Sequence, residues 1–350
     1  MAKRQHHILK KLLVSTVGLG LVILAYSGWQ IYQDFRILKN IKNQQEQLSR
    51  YRQQAEQKPQ EPQAWLQLGD AAFDFWQNAG QGIRIAGEVN QMDLVWEWLG
   101  AKNSALKEAS MAYGRVLKLA PESVEAVVGL CQVSIEQSES AKAVMICQKA
   151  VQSRPPQAKL YLALSSALIQ DSQWTNAEVA ARQVIAIESD NDDAYYQLGN
   201  ALLGQEKVNE GIVALQKSIT LDPKANLAYI RLADALDWQN RSQEAIMAYR
   251  QSIKVAPSHP LPYKRLGEIY SRQKRWDEAV LVYRQGLEYF PNEVDILKGL
   301  GNAFVQLQQW EKALSVYKQV LMFDPEDTES RQAWESLMQR QKVKTTSPTY

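Results

Sequence analysis

The side chains of this chain that are able to do acid–base, nucleophilic or metal chemistry are few and far apart. Its 350 residues include three histidines and two cysteines. His6 and His7 are adjacent near the N-terminus, and His259 is remote from them, so no spacing suits a zinc site. A phosphate-binding loop, a nucleophile elbow and a metalloprotease motif are absent from the sequence. The sequence therefore predicts no catalytic residue, no cofactor and no metal.

One acid pair is all that an enzyme hypothesis has to build on. Asp93 and Glu97 are four residues apart, so a helix would place both carboxylates on one face. No nucleophile or phosphate loop is near them, and carboxylates on a solvated helix face are the simpler interpretation. We expect that the protein is not an enzyme. A non-catalytic subunit of an enzyme complex is an alternative.

The two cysteines, Cys131 and Cys147, are 16 residues apart at positions that suit helix packing. Buried free thiols are the simpler interpretation. A disulfide would need α-carbons within about 7 Å, which a close helix pair would permit. The sequence leaves both states open.

The overall charge is nearly balanced. Forty basic and 38 acidic residues give a formal net charge of +2. This balance gives no electrostatic support for binding to nucleic acid, and we expect no nucleic-acid partner.

The N-terminus reads as a membrane anchor. Residues 1–11 are basic, and residues 12–32 contain no charged side chain over 21 positions. About 20 helical residues span the hydrocarbon core of a bilayer, and Trp29 and Tyr32 close the run as interfacial aromatic residues would. A cleaved signal peptide is the alternative, since Ala25-Tyr26-Ser27 resembles a cleavage site. We favour a single transmembrane helix at 12–32 because the apolar run continues past Ser27.

The flanking charges favour one orientation slightly. Four basic residues precede the run and three follow it closely: Lys3, Arg4, Lys10 and Lys11, then Arg36, Lys39 and Lys42. The positive-inside rule then places the N-terminus in the cytoplasm and the rest of the chain on the far side.

Residues 33–61 are rich in Gln and in charge, and they read as a helical stalk ended by Pro59 and Pro62. Ile41 and Leu48 share a heptad position, as do Ile31, Leu38 and Gln45. Two heptads are too few to indicate a coiled coil. We expect a solvated stalk rather than a dimerising one.

A 34-residue period governs the chain from there to residue 327. Prolines mark it, leucine recurs once in each of seven units, and the residue after that leucine is always small. The leucines are Leu68, Leu130, Leu164, Leu198, Leu232, Leu266 and Leu300; the small residues are Gly69, Cys131, Ser165, Gly199, Ala233, Gly267 and Gly301. A glycine in mid-helix lowers stability by about 1 kcal/mol, so a close backbone crossing must favour it. We expect that Gly267 meets Ala279 at such a crossing.

The units resemble tetratricopeptide repeats, whose pattern is W-x2-L-G-x2-Y, then A-x3-F, then P. The resemblance covers residues 62–327: a first unit at 62–123, lengthened by about 28 residues near 78–103, and six units of 34 at 124–327. It implies an all-α solenoid, a right-handed superhelix of helix-turn-helix units. Residues 328–342 continue as a capping helix in which Trp334 and Leu337 cover the last unit. We expect a disordered tail at 343–350.

The resemblance also implies that first helices line an inner groove that binds a peptide or a protein segment. Carried over unit by unit, the candidate groove residues are Arg231, Lys264, Arg265, Arg272, Lys298 and Asn302. Lys298 and Asn302 have the spacing of one pair of a carboxylate clamp, but they fall in the last unit, where no further unit completes the clamp. Solvated surface charge is the simpler interpretation of each residue taken alone.

The insertion in the first unit carries an aromatic-rich apolar cluster. Trp96 and Trp98 are its candidate contact residues. A helical extension that packs on the first unit is the simpler interpretation. The functional alternative is an element that docks a partner or leans on a membrane.

Together these features predict a membrane-tethered scaffold or adaptor that binds a protein partner. Assembly or biogenesis of a membrane or envelope complex is the expected setting. A soluble secreted or periplasmic repeat protein, released by signal cleavage, is the alternative.

Overall fold

A computed structural model describes residues 20–88 and 91–346, with side chains for 34–87 and 91–340. In this part of the chain all regular secondary structure is helical, and there is no strand. The sixteen helices are α1 Gly20–Gln57, α2 Pro62–Glu88, α3 Met92–Leu119, α4 Val124–Glu136, α5 Ser140–Ser153, α6 Ala158–Gln170, α7 Trp174–Ile187, α8 Asp192–Gly204, α9 Val208–Leu221, α10 Asn226–Trp238, α11 Ser242–Val255, α12 Pro260–Arg272, α13 Trp276–Tyr289, α14 Val294–Gln306, α15 Trp310–Phe323 and α16 Thr328–Thr346.

The chain divides into two compact units, Met1–Asp171 and Ser172–Tyr350. The first contains α1–α6 and the second contains α7–α16. The division falls between the two helices of the third repeat, at the α6–α7 turn. Each unit has its own apolar core, one centred on α1–α4 and the other on α9–α15.

From α4 onward the helices alternate between 13 and 14 residues and are joined by one kind of turn. Each turn holds one non-glycine residue in the left-handed region, with φ between 57° and 62°: Ser138, Ser172, Glu206, Asn240, Lys274 and Gln308. The amide after it returns to a carbonyl five residues back, as from Arg275 to Tyr270 at 2.9 Å. This bond satisfies a carbonyl that the helix end leaves without a partner.

A tyrosine slot explains the glycines in the middle of the first helices. The ring of Tyr283 lies between Gly267 on α12 and Gly299 on α14. A β-carbon at Gly299 would lie 2.5 Å from Cζ of this ring, and one at Gly267 would lie closer still. The buried ring therefore replaces the side chain that each glycine lacks, and its burial offsets the low helix propensity of glycine.

The same slot recurs in other repeats with different fillings. Tyr113 lies against Gly69 and Gly129 in the first unit of the chain. In the fourth repeat Leu215 faces Gly199, and a β-carbon at Gly199 would lie 3.3 Å from the carbonyl oxygen of Gly211. Gly211 is the counterpart of Ala279, so the predicted close crossing of the helices occurs at these positions.

The second repeat fills its slot with a covalent bond. Cys131 occupies the small position and Cys147 the aromatic one, and the structure joins them in a disulfide with α-carbons 6.4 Å apart. Both cysteines are fully buried. The prediction of free thiols is therefore wrong, because the close helix pair brings the two positions within bonding reach.

Helix α1 is not the solvated stalk that its composition predicts. It packs along α2 and α3, and Ile41, Leu48 and Ala55, seven residues apart, are at most 3% exposed. Arg52 on its outer side makes a two-pronged ion pair with Glu108 of α3, at 2.6 and 2.9 Å. The heptad spacing thus serves a contact inside the chain.

The insertion lengthens both helices of the first repeat. Helices α2 and α3 have 27 and 28 residues, about twice the length of their counterparts. The extra turns cover α1: the indole of Trp98 is fully buried and donates to Oε1 of Gln45 at 2.8 Å. Trp98 is therefore a core residue and not an exposed contact.

The C-terminal helix α16 covers the last repeat. Leu337 is buried, Trp334 packs against the core of this unit, and the guanidinium of Arg340 lies 4.1 Å from the ring centroid of Trp310. The helix continues to Thr346, beyond the predicted end at 342, so residues 343–346 are not a disordered tail. The last four residues lie outside the described part of the chain.

The predicted transmembrane helix begins outside the described residues. Residues 20–32 belong to α1, whereas residues 12–19 and the basic segment 1–11 lie before it. Among the described residues no helix is long and apolar enough to cross a membrane.

The slot predicts that Gly267→Leu is destabilising. The added side chain would collide with the ring of Tyr283, and overpacking of this kind lowers the free energy of unfolding by about 1–3 kcal/mol or more. Denaturant titration followed by circular dichroism measures the change. A control is Gly114→Ala on α3, where a β-carbon would meet nothing within 4 Å; it should raise the stability by about 1 kcal/mol. Equal effects of the two variants would contradict the slot.

Candidate functional site

The candidate groove residues lie on first helices of the second unit, at or beside a cavity of about 440 Å³. Lys264, Arg272, Lys298 and Asn302 line it, together with Glu268, Ser271, Trp276, Tyr283, Asp295, Gly299 and Glu329. Arg231 and Arg265 are exposed but are not among its lining residues. The structure therefore brings four of the six predicted residues together.

Helical periodicity puts these side chains on one face. On α12, Lys264, Glu268 and Ser271 follow one another at intervals of four and three residues. Leu266, Ile269 and Tyr270 are buried on the other side of the same helix. The apolar face fixes the rotation of the helix and so directs the polar face into the cavity.

The cations of the groove pair with neighbouring elements. Lys264 pairs with Asp295 of α14, and Arg272 pairs with Asp237 of α10. Nε of Arg231 donates to Oδ1 of Asn200 at 2.7 Å. Each contact joins first helices of successive repeats, so these polar side chains link the repeats as well as lining the surface.

Lys298 is the most heavily engaged cation in the groove. Its Nζ lies 2.8 Å from carboxylate oxygens of both Asp327 and Glu329. These hydrogen bonds raise the pKa of Lys298 and lower that of Asp327. Asn302, the other half of the predicted clamp pair, accepts the hydroxyl of Tyr317 at 2.6 Å. Both members of the clamp pair are thus engaged within the chain.

The cavity lining is balanced in charge. Three cations face three carboxylates: Lys264, Arg272 and Lys298 against Glu268, Asp295 and Glu329. The expected basic bias is therefore absent from the cavity, because each neighbouring repeat or cap supplies a carboxylate. Attraction of an acidic peptide by net charge does not follow from this lining. A segment that presents both signs, or neutral polar groups, fits it better.

Buried tyrosine hydroxyls hold the polar residues that follow the small position. Tyr249 donates to Asp234, Tyr317 to Asn302, and Tyr113 to Asp70 at 2.8 Å. Burial raises the pKa of Tyr317 to about 12, so its hydroxyl stays a donor. Sequence reasoning took these tyrosines for packing residues only. A polar residue 15 positions before each tyrosine was the available signal.

The insertion residues separate into one buried and one exposed side chain. Trp98 is in the core of the first unit, whereas Trp96 is 66% exposed. Glu97 accepts a hydrogen bond from Gln45 at 2.6 Å, so half of the Asp93–Glu97 pair is engaged with α1. Among the described residues no three His, Cys, Asp or Glu side chains are grouped as a metal site requires.

Stacked helix pairs with a repeated slot and a polar first-helix face define a helical-repeat protein. More narrowly, residues 196–260 and residues 270–337 match sequence profiles of the tetratricopeptide repeat, and the chain carries repeats of this family. Arrays of this class are scaffolds for protein–protein interaction. No curated protein sequence is significantly similar to the chain.

Solved structures agree with the fold. PilF of Pseudomonas aeruginosa is 15% identical, with a TM-score of 0.50 over 62% of this chain and 96% of PilF. YrrB, a TPR protein with an unusual peptide-binding site, is 17% identical with a TM-score of 0.45, over 54% of this chain and 97% of YrrB. MamA is 20% identical with a TM-score of 0.44, over 49% of this chain and 94% of MamA. At these identities the likeness concerns the fold alone.

The pairing of Lys298 predicts a pH-dependent effect of Asp327→Asn. Asp327 also caps α16 through the amide of Ser330 at 2.7 Å, a role that Asn performs as well. The variant therefore loses mainly the ion pair, about 1 kcal/mol at pH 7. Because the folded pKa of Asp327 is lowered from 3.8, this stability is present above pH 3.8 and disappears as the pH falls through the lower folded value.

Denaturant midpoints measured between pH 7 and pH 2 test this dependence. The wild type and Asp327→Asn should differ at pH 7 and converge at the acid end. The control is Glu329→Gln, which removes the second, largely exposed partner of Lys298 and should change stability by a few tenths of a kcal/mol. A constant difference between wild type and Asp327→Asn at all pH values would exclude the ion pair as its cause.

Proposed function

We propose that this protein is a membrane-tethered scaffold whose second unit holds a segment of a partner protein in the 440 Å³ cavity. The observation that carries the proposal is the polar face of α12 and α14, fixed by inter-repeat ion pairs around an open cavity. A surface whose side chains are already held in place loses little conformational entropy on binding. Such preorganisation favours recognition of an extended polar segment.

The balanced charges narrow the type of segment. A partner that approaches Lys264 and Asp295 must satisfy both signs or compete with the existing pair. A polyacidic or polybasic segment would meet a like charge within the cavity, which opposes binding. The proposed ligand is therefore a segment with alternating or neutral polar side chains and not an acidic tail.

A membrane tether is the second part of the proposal. The uncharged run at 12–32 is long enough to span a bilayer, and α1 carries its second half continuously into the packed first unit. The buried disulfide supports a location of the repeats on the oxidising side of the membrane, since such bonds are rare in reducing compartments. The weak excess of basic residues before the run favours the same orientation.

Holding a partner next to a membrane suits the assembly or biogenesis of a membrane or envelope complex. The scaffold would contribute position and orientation, and the partner would contribute the chemistry. This role agrees with the absence of a recognisable catalytic motif from the sequence. The two parts of the proposal are independent and are tested separately.

Photo-crosslinking tests the cavity as the binding site. A photoreactive residue replaces Glu329, which lines the cavity and is 68% exposed in its side chain. The control position is Met322, which is 71% exposed and lies outside the cavity. In native membranes we expect adducts with another protein from position 329 and none from position 322.

A charge swap then tests recognition without breaking the fold. Lys264→Glu combined with Asp295→Lys keeps an ion pair but reverses its direction, so adducts at position 329 should fall about tenfold, the equivalent of 1.4 kcal/mol. The matched control is Arg241→Glu with Glu244→Arg, a pair outside the cavity. Adducts that resist the first swap would exclude the cavity as the site.

Fractionation and labelling test the tether. The intact chain should remain in carbonate-washed membranes with Met1 to Ser27 present. A cysteine at the exposed position 322 should react with an impermeant maleimide in intact cells, whereas one at position 3 should react only after lysis. A mature chain that begins at Gly28 would favour the secreted alternative. Reversed labelling would invert the orientation.

A further inference from the structure

The long hairpin of α2 and α3 extends back along α1, toward the end from which the uncharged run emerges. Gly82 of α2 lies against Ile41 of α1, and the start of α3 lines a cavity of about 1140 Å³ together with Phe35 and Leu38. A standard first helix of 13 residues would stop about 20 Å short of this point. The insertion therefore carries the tip of the hairpin to the N-terminal end of the described side chains.

Side-chain contacts fix the register of α1 and α3, which run parallel. Gln45 bonds Glu97 and Trp98, and Arg52 bonds Glu108, at separations of 52, 53 and 56 residues. By this register Met92 lies opposite residues 36–40 of α1. Trp96 lies opposite residues 40–44, and Met111 lies opposite residues 55–59.

The register gives heights above the uncharged run, which ends at Tyr32. At 1.5 Å per residue along α1, Met92 is about 6–12 Å beyond that end, Trp96 about 12–18 Å and Met111 about 35–40 Å. Side chains in a helix lean toward its N-terminus, which for α3 is the side of the run. The polar layer of a bilayer is about 5–8 Å thick on each side. Met92 thus reaches this layer, Trp96 its outer edge, and Met111 neither.

The tip exposes the side chains that suit this layer. Phe35, Met92 and Trp96 are 60%, 45% and 66% exposed, and Lys39 and Lys42 line the same cavity. Trp combines an apolar ring with a donor that favours the membrane interface, and lysine buries its stem while its ammonium stays among polar groups. In the first unit these residues concentrate at the end that the run leaves.

We propose that the tip of the α2–α3 hairpin, around residues 91–96, rests in the headgroup layer of the bilayer that holds the N-terminal run. The proposal depends on the tether described above. It assigns the insertion a function: a second point of contact that fixes the angle of the first unit on the membrane. A single helix alone would leave the unit free to tilt and rotate.

Site-directed spin labelling of the full chain tests the contact. The cysteine variants Met92→Cys, Trp96→Cys and Met111→Cys are labelled one at a time, and the native pair does not react because it is a buried disulfide. Each chain is placed singly in a nanodisc of phosphatidylcholine, so lipid is the only available partner. Power-saturation measurements compare accessibility to oxygen, which partitions into lipid, and to a water-soluble nickel complex.

The ratio of oxygen to nickel accessibility should fall in the order 92, 96, 111, with position 92 several-fold above position 111. Met111 is a matched control because it lies on the same helix and is 59% exposed. Equal ratios at 92 and 111 in chains held by the discs would overturn the contact and leave the tether standing. Chains that do not enter the discs would overturn the tether and the contact together.

Discussion

The close approach of helices at a missing side chain is the constraint on which the rest of this structure depends. Where Gly267 and Gly299 lack a β-carbon, the ring of Tyr283 fills the space and three helices pack around it. One small position and one large position per repeat, kept at a spacing of 34 residues, suffice to reproduce the arrangement. The second repeat shows that geometry matters more than chemistry here, since a disulfide occupies the same slot.

Once the apolar faces are fixed by the slot, the first helices have one polar face left. Its side chains must serve two purposes, because residues such as Lys264 and Arg272 link successive repeats and also line the only surface suited to a ligand in this part of the second unit. A groove made of engaged pairs is rigid and nearly neutral. It selects a partner by the pattern of its polar groups, since long-range attraction requires an unbalanced charge.

The fold could be predicted from the sequence because the constraint is local and periodic: proline, leucine and small residues mark every unit. The pairing of the groove was missed because its partners are separated by 29 to 35 residues, as in Lys298 with Asp327 and Arg272 with Asp237. Those separations lie close to one repeat, so the period itself would have indicated them. The packing of α1 was missed for a different reason. Ile41 and Leu48 imply a partner helix, but only the insertion supplies it, through Trp98.

The ends of a repeat array need special structure, because a terminal repeat lacks one neighbour and exposes an apolar face. Helix α16 covers that face in the second unit. In the first unit, α1 does so and is in turn continuous with half of the uncharged run. A helix that caps the array by Ile41, Leu48 and Ala55 cannot also be a loose stalk, since bending it would expose these residues to water. Any force or orientation imposed on the run is therefore transmitted to the repeats through a packed interface and not through a flexible linker.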